Sequence, residues 1–186
     1  MKFLTTGYDL TASTVGSSQA LSGAATKVSL FAESAMNFSV VPGTVGNLSF
    51  ATPVSAAADV LESRTVTFTG TAFGVGDVQR ITIDGTNVDV TFSGFEPETV
   101  ASDFQTAAVA NGTVDAAFTV TVDKNVVTIT HKTVNTAFTL STTVVSRNIP
   151  HHIGAFERLT VDVPPGSTIR AKVSSGTPNL NISELE

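Results

Sequence analysis

Apolar and polar residues alternate with a period of two in short runs along most of the chain, and each run is bounded by Gly, Pro, Asn or Asp. That is the pattern of half-buried strands separated by turns. It predicts strands at Lys27–Ala32, Ala35–Val41, Arg64–Thr71, Gln79–Asp84, Asn87–Ser93, Ala117–Asp123, Val126–Lys132, Phe138–Val145, Glu157–Val163, Thr168–Ser174 and Leu180–Glu184. Two hairpins stand out. Ile81–Ile83 runs into Asp84-Gly85-Thr86-Asn87 and returns as Val88–Phe92, and Asp-Gly supplies the positive φ that a tight hairpin turn demands. Thr119–Val122 runs into Asp123-Lys124-Asn125 and returns as Val126–Thr130, a weak copy of the first hairpin.

Between the hairpins the period changes from two to that of a helix. Val100, Phe104, Ala107 and Ala108 fall at i, i+4, i+7 and i+8, Pro97 suits a first helical turn, and Glu98 and Asp103 are acidic near the positive end of the dipole. Asn111-Gly112 stops the pattern. The prediction is one helix over about residues 97–110, with Val100 and Phe104 covering a sheet face. Arg64–Val145 then reads β-β-β-α-β-β-β, enough for a small core of its own. Neither Met1–Ser63 nor Ser146–Glu186 holds enough strands to close a core alone. The two are therefore expected to form one discontinuous domain, an antiparallel β-sandwich of residues 1–63 plus 146–186, with residues 64–145 inserted into one of its loops as a small α+β module. Ala51–Ser63, with Pro53 and three consecutive Ala, and Ser146–Pro150 would be the two connectors.

Composition agrees with a mainly β fold. Thr and Val together make up more than a quarter of the chain, and both are stiff at χ1 and favour a pleated surface. The 186 residues are 41% hydrophobic and 14% charged, with a formal net charge of −6, which is not the make-up of a disordered chain. The absence of Cys excludes disulfides and thiolate chemistry. With the acidic balance and Lys and Arg scattered singly, neither nucleic acid nor a membrane surface is an expected partner. No run approaches the roughly 20 apolar residues of a membrane span, and the N-terminal ten residues lack the apolar stretch of a signal peptide.

Candidate chemistry is sparse. His151-His152 is the pair that invites a metal or a catalytic role, with His131 distant in sequence. Neighbours on a strand point to opposite faces, so both imidazoles do not readily join one tetrahedral site, and no clustered carboxylate completes a ligand set. The pair is read as an interface or connector element. Asp84, Asn87 and Asp89 resemble part of a calcium loop, but no Glu stands at its closing position, and a hairpin turn accounts for Asp84, Gly85 and Asn87. No Gly-x-Ser-x-Gly elbow is present, and Gly70, Gly74 and Gly76 precede neither Lys-Ser nor Lys-Thr. No catalytic residue, cofactor or metal site is expected, and the chain reads as non-enzymatic. Twelve Phe against one Tyr and no Trp fit core filling better than a carbohydrate-binding face. Phe73 and Phe95, each beside Gly, are the candidates for exposed anchors.

Thr65–Ala72, Ile81–Thr86, Glu98–Phe104 and Val127–Thr130 together resemble the small β-rich domains inserted in tailed-bacteriophage tail and other virion proteins. Ala25–Ala32, Leu159–Ala171 and Leu180–Leu185 are similar to segments of short β-sandwich virion proteins such as head decoration or cement proteins. The resemblance implies a virion structural protein assembled in the host cytoplasm. Its partners would be the major capsid protein or other virion proteins, and it would be a homo-oligomer, a trimer by analogy. The same resemblance admits a tail-tube or head–tail connector subunit. A receptor- or glycan-binding module is the alternative of another class. On any of these readings Phe73, Phe95, His151 and His152 are the interaction candidates.

Overall fold

The computed structural model describes residues 3–14, 16–43, 46–51, 60–70 and 73–185, with side chains from residue 8 onward. Residues 52–59 of the expected connector and Thr71, expected to end a strand, lie outside the described residues. In chain order the first elements are β1 (Phe3–Thr11), β2 (Ser17–Ala20), β3 (Lys27–Ala32), β4 (Met36–Val41), β5 (Asn47–Phe50) and β6 (Ser63–Thr69). Then come β7 (Val78–Ile83), β8 (Thr86–Thr91), α1 (Pro97–Ala110), α2 (Gly112–Ala117), β9 (Phe118–Asp123), β10 (Val126–His131) and β11 (Leu140–Ser146). The last are β12 (His151–Ile153), β13 (Arg158–Asp162), β14 (Thr168–Lys172) and β15 (Asn179–Leu185). The fold is mainly β.

Two compact units divide the chain, Met1–Val45 with Ser146–Glu186, and Gly46–Val145. The first is an antiparallel sandwich built by the N- and C-terminal segments. One sheet has the order β1-β15-β3-β13 and the other β12-β4-β14-β2. Alternation along the strands sends Leu10, Val28, Leu30, Ala32, Leu180 and Ile182 from one sheet and Met36, Phe38, Ile153, Ile169 and Ala171 from the other into one core. Each fully buried Leu, Ile or Phe there contributes roughly 1.5–3 kcal/mol. Glu184 is fully buried on β15. Its carboxylate accepts from the Ser22 N–H and hydroxyl, both at 2.6 Å, which is how a buried charge is satisfied.

The middle unit holds the sheets β5-β6-β10-β9 and β11-β7-β8 around a second core that includes Val66, Phe68, Ile81, Ile83, Val127 and Ile129. α1 occupies the span the periodicity predicts, and Val100, Ala101, Phe104 and Ala108 are its buried face. Phe104 packs on Phe68 with ring centroids 6.2 Å apart. A second helix corrects the expectation of a single one. Asn111 ends α1 and also begins α2, its Oδ1 accepting from the N–H groups of Thr113 (3.2 Å) and Val114 (3.3 Å), so the residue that stops one helix caps the next. β5 pairs with β6 from Asn47 opposite Thr69 to Phe50 opposite Val66. Leu48 and Phe50 pack against the middle core. The compact units accordingly divide at 45/46, where the sequence pattern placed a boundary at 63/64.

The hairpins show their turn chemistry. Asp84 and Gly85 have φ of 45° and 78°, and β7 pairs with β8 from Val78 opposite Thr91 to Ile83 opposite Thr86. In the second hairpin Lys124 takes φ 54°. Asn125 then reaches across to β6, its Nδ2 donating to the Phe68 carbonyl at 2.7 Å.

Candidate functional site

β12 follows the Ser146–Pro150 stretch and pairs with the first half of β4, His151 opposite Phe38 and His152 opposite Asn37. Strand geometry sends the adjacent imidazoles to opposite faces. The His151 ring lies 5.6 Å from the Phe38 ring. The His152 Nδ1 sits 3.3 Å from the Asn37 Oδ1. His152 lines a depression of about 460 Å³ with Arg147 and Lys172 among its other walls. Arg147, His152 and Lys172 all line it, a lining that suits a carboxylate or phosphate better than a cation.

His151 faces a different feature. Because β12 covers only Met36–Phe38 of β4, the sandwich stays open beyond it among the described residues. The inner-face residues Phe38 and Val40 of one sheet and Leu159 and Val161 of the other line a groove of about 420 Å³ there, with His151, Pro42 and Pro164 among its other walls. β13 forms the rim as the last strand of its sheet. Leu159 is 39% exposed, and Phe156, just before β13, is 75% exposed in a left-handed conformation with φ 59°. A bulky residue adopts that conformation at a cost. Sequence reasoning missed both residues. Leu159 read as one more apolar position in an alternating strand, and nothing in the sequence around Phe156 marks a positive φ.

The two Phe candidates part company. Phe73 is not an exposed anchor: it is 4% exposed, edge-on to Phe92 at 5.4 Å and to Phe68 at 6.1 Å. Flanking Gly allowed either reading, and the core claimed the ring. A Cβ on Gly46 would come within 2.6 Å of that ring, so the Gly is what lets backbone lie on it. Phe95 is 43% exposed, just ahead of α1. The structure does not bring Phe95 or Phe73 together with the histidines in one compact unit.

The acidic hairpin residues are committed to one another's neighbours. Asp89 receives two bonds from Arg80, at 2.7 and 2.8 Å, and Asn87 accepts from the Thr82 hydroxyl at 2.8 Å. The hydrogen bond from Arg80 holds the Asp89 carboxyl below the usual carboxylate range, and the same pairing raises the Arg80 guanidinium. Among the described residues no three His, Asp or Glu side chains group as metal ligands, and no helix is long and apolar enough to cross a membrane. Compared with protein-family models, with curated proteins and with solved structures, the chain matches none.

Proposed function

We propose that the chain is a non-enzymatic structural protein of a tailed-phage virion, a head decoration or cement protein whose sandwich adheres to the outer capsid surface and stabilises it. The observation that supports this most is the open side of the sandwich: an edge strand with exposed Leu159, beside a groove lined by Phe38 and by the partly exposed Val40 and Val161. An unpaired edge is a template for another chain, and proteins that work as free monomers usually cover or blunt such edges. In an adhesive protein the edge serves as the joint. The middle unit is inserted in the chain between β4 and β12, in keeping with the resemblance of its strand-and-turn pattern to inserted virion domains.

The test is the copy number of the chain in purified virions of its phage, by quantitative mass spectrometry against the major capsid protein. Hundreds of copies are expected. A count matching one symmetric ring would move the chain to the tail tube or the head–tail connector, and its absence would overturn the virion reading.

A further inference from the structure

We propose that β13 is a homotypic docking strand: it pairs antiparallel with β13 of a second copy about a two-fold axis at Thr160, joining two β1-β15-β3-β13 sheets into one. The inference takes from the proposed function only that this edge is adhesive.

Backbone parity comes first. The Ala32 N–H donates to the Glu157 carbonyl and the Val163 N–H to the Thr26 carbonyl, in register with the β13–β3 pairing. Odd-numbered residues of β13 therefore turn their backbone groups toward β3, and Arg158, Thr160 and Asp162 turn theirs outward. No strand pairs with that side among the described residues. Self-pairing centred on Thr160 uses those same residues as its hydrogen-bonded pairs, Thr160 with Thr160 and Arg158 with Asp162 of the second copy.

Side chains agree with that register. Charges commonly guard an edge against foreign strands, but here they are opposite in sign and equidistant from Thr160, so an antiparallel copy of the same strand sets each against its opposite. Arg158 lies over Phe31 at 5.9 Å and Asp162 lies 3.1 Å from Lys27. A row across the joint then runs Phe31, Arg158, and Asp162 and Lys27 of the second copy. On the inner face Leu159 meets Val161 of the second copy beside the groove. A five-residue ladder is smaller than a standard stable interface, so the contact is weak in dilute solution and effective where copies are held side by side. Being two-fold, it links neighbouring copies or neighbouring trimers and does not itself build a trimer.

The experiment uses the isolated full chain, so failure here leaves capsid binding open, and failure to bind capsids leaves this joint standing. The chain has no Cys, which makes Thr160→Cys a clean probe. Paired Cα atoms there would be about 5.5 Å apart, inside the disulfide window. Mild oxidation is expected to give a covalent dimer from Thr160→Cys and none from Thr119→Cys, an exposed position on β9. By sedimentation equilibrium the unmodified chain should show a reversible dimer. Arg158→Asp and Asp162→Arg should each weaken it about tenfold or more, and the double variant should restore it, with circular dichroism showing each variant folded. The proposal is overturned by equal cross-linking at both Cys positions, by a chain that stays monomeric to about 1 mM, by a dimer indifferent to the charge changes, or by a double variant no tighter than the single ones.

Discussion

At the scale of single residues, burial decides what two similar Phe side chains do. Phe73 and Phe95 both follow the composition of a loop, yet one is enclosed by Phe68 and Phe92 and the other stands in solvent. Phe73→Ala should cost about 3–5 kcal/mol in denaturant unfolding, whereas Phe95→Ala should stay within about 0.5 kcal/mol. Equal losses would refute the assignment. The Arg80–Asp89 pair makes a pH-dependent prediction of known sign. A carboxyl whose folded pKa is depressed contributes stability that is present above its unfolded pKa and lost as pH falls through the folded value. Asp89→Asn should therefore lower the unfolding midpoint slightly at neutral pH and low salt, the effect being small because both side chains are about 40% exposed. The difference from the unaltered chain should close as the pH falls through the lowered folded-state value of Asp89 and in about 1 M salt. A gap that persists in acid would mean that Asn disturbs the hairpin by some other route.

Elements differ in how much of themselves they carry locally. The β7–β8 hairpin and α1 were legible because their signals are self-contained: Asp84-Gly85 takes positive φ for turn reasons, and Val100 and Phe104 recur at helical spacing. β1, β2, β5 and β12 were not legible. β2 is Ser17–Ala20, with only one apolar residue, β5 has four residues and β12 three, so these three exist only because a longer neighbour offers a ladder, whereas β1 is long but its polar run TTGYD hides the alternation. β12 pairs with β4 and β2 with β14. The open groove was illegible for the same reason, since it arises from where β12 ends along β4. α2 lies between these cases. Asn-Gly reads as a stop, and the restart depends on one side chain accepting two N–H groups. Asn111→Ala should lose about 0.5–2 kcal/mol and raise hydrogen exchange in α2 before it does so in α1. Unchanged exchange in α2 would remove the cap from the account.

For the molecule as a whole, the pairing of β5 with β6 sets where the insertion can be cut. Replacing residues 46–145 by a short Gly/Ser linker should leave the sandwich folded, because β4 and β12, which flank the cut, are neighbours in one sheet. Replacing only 64–145 strands Leu48 and Phe50 without the core they pack on. That product is expected to aggregate or bind a hydrophobic dye, and an unfolded product from the longer replacement would sink the idea of two separable units. The sheet order carries a further consequence. β15 lies between β1 and β3, so the strands made first have no central partner until Leu185 is joined to the chain. Every pairing within the middle unit is complete at Ser146. On the ribosome, the middle unit can fold before the sandwich around it is complete. The sandwich, with β13 at its edge, closes only once β15 has been made, later than the middle unit, so a nascent chain does not present a completed β13 edge while the middle unit is folding.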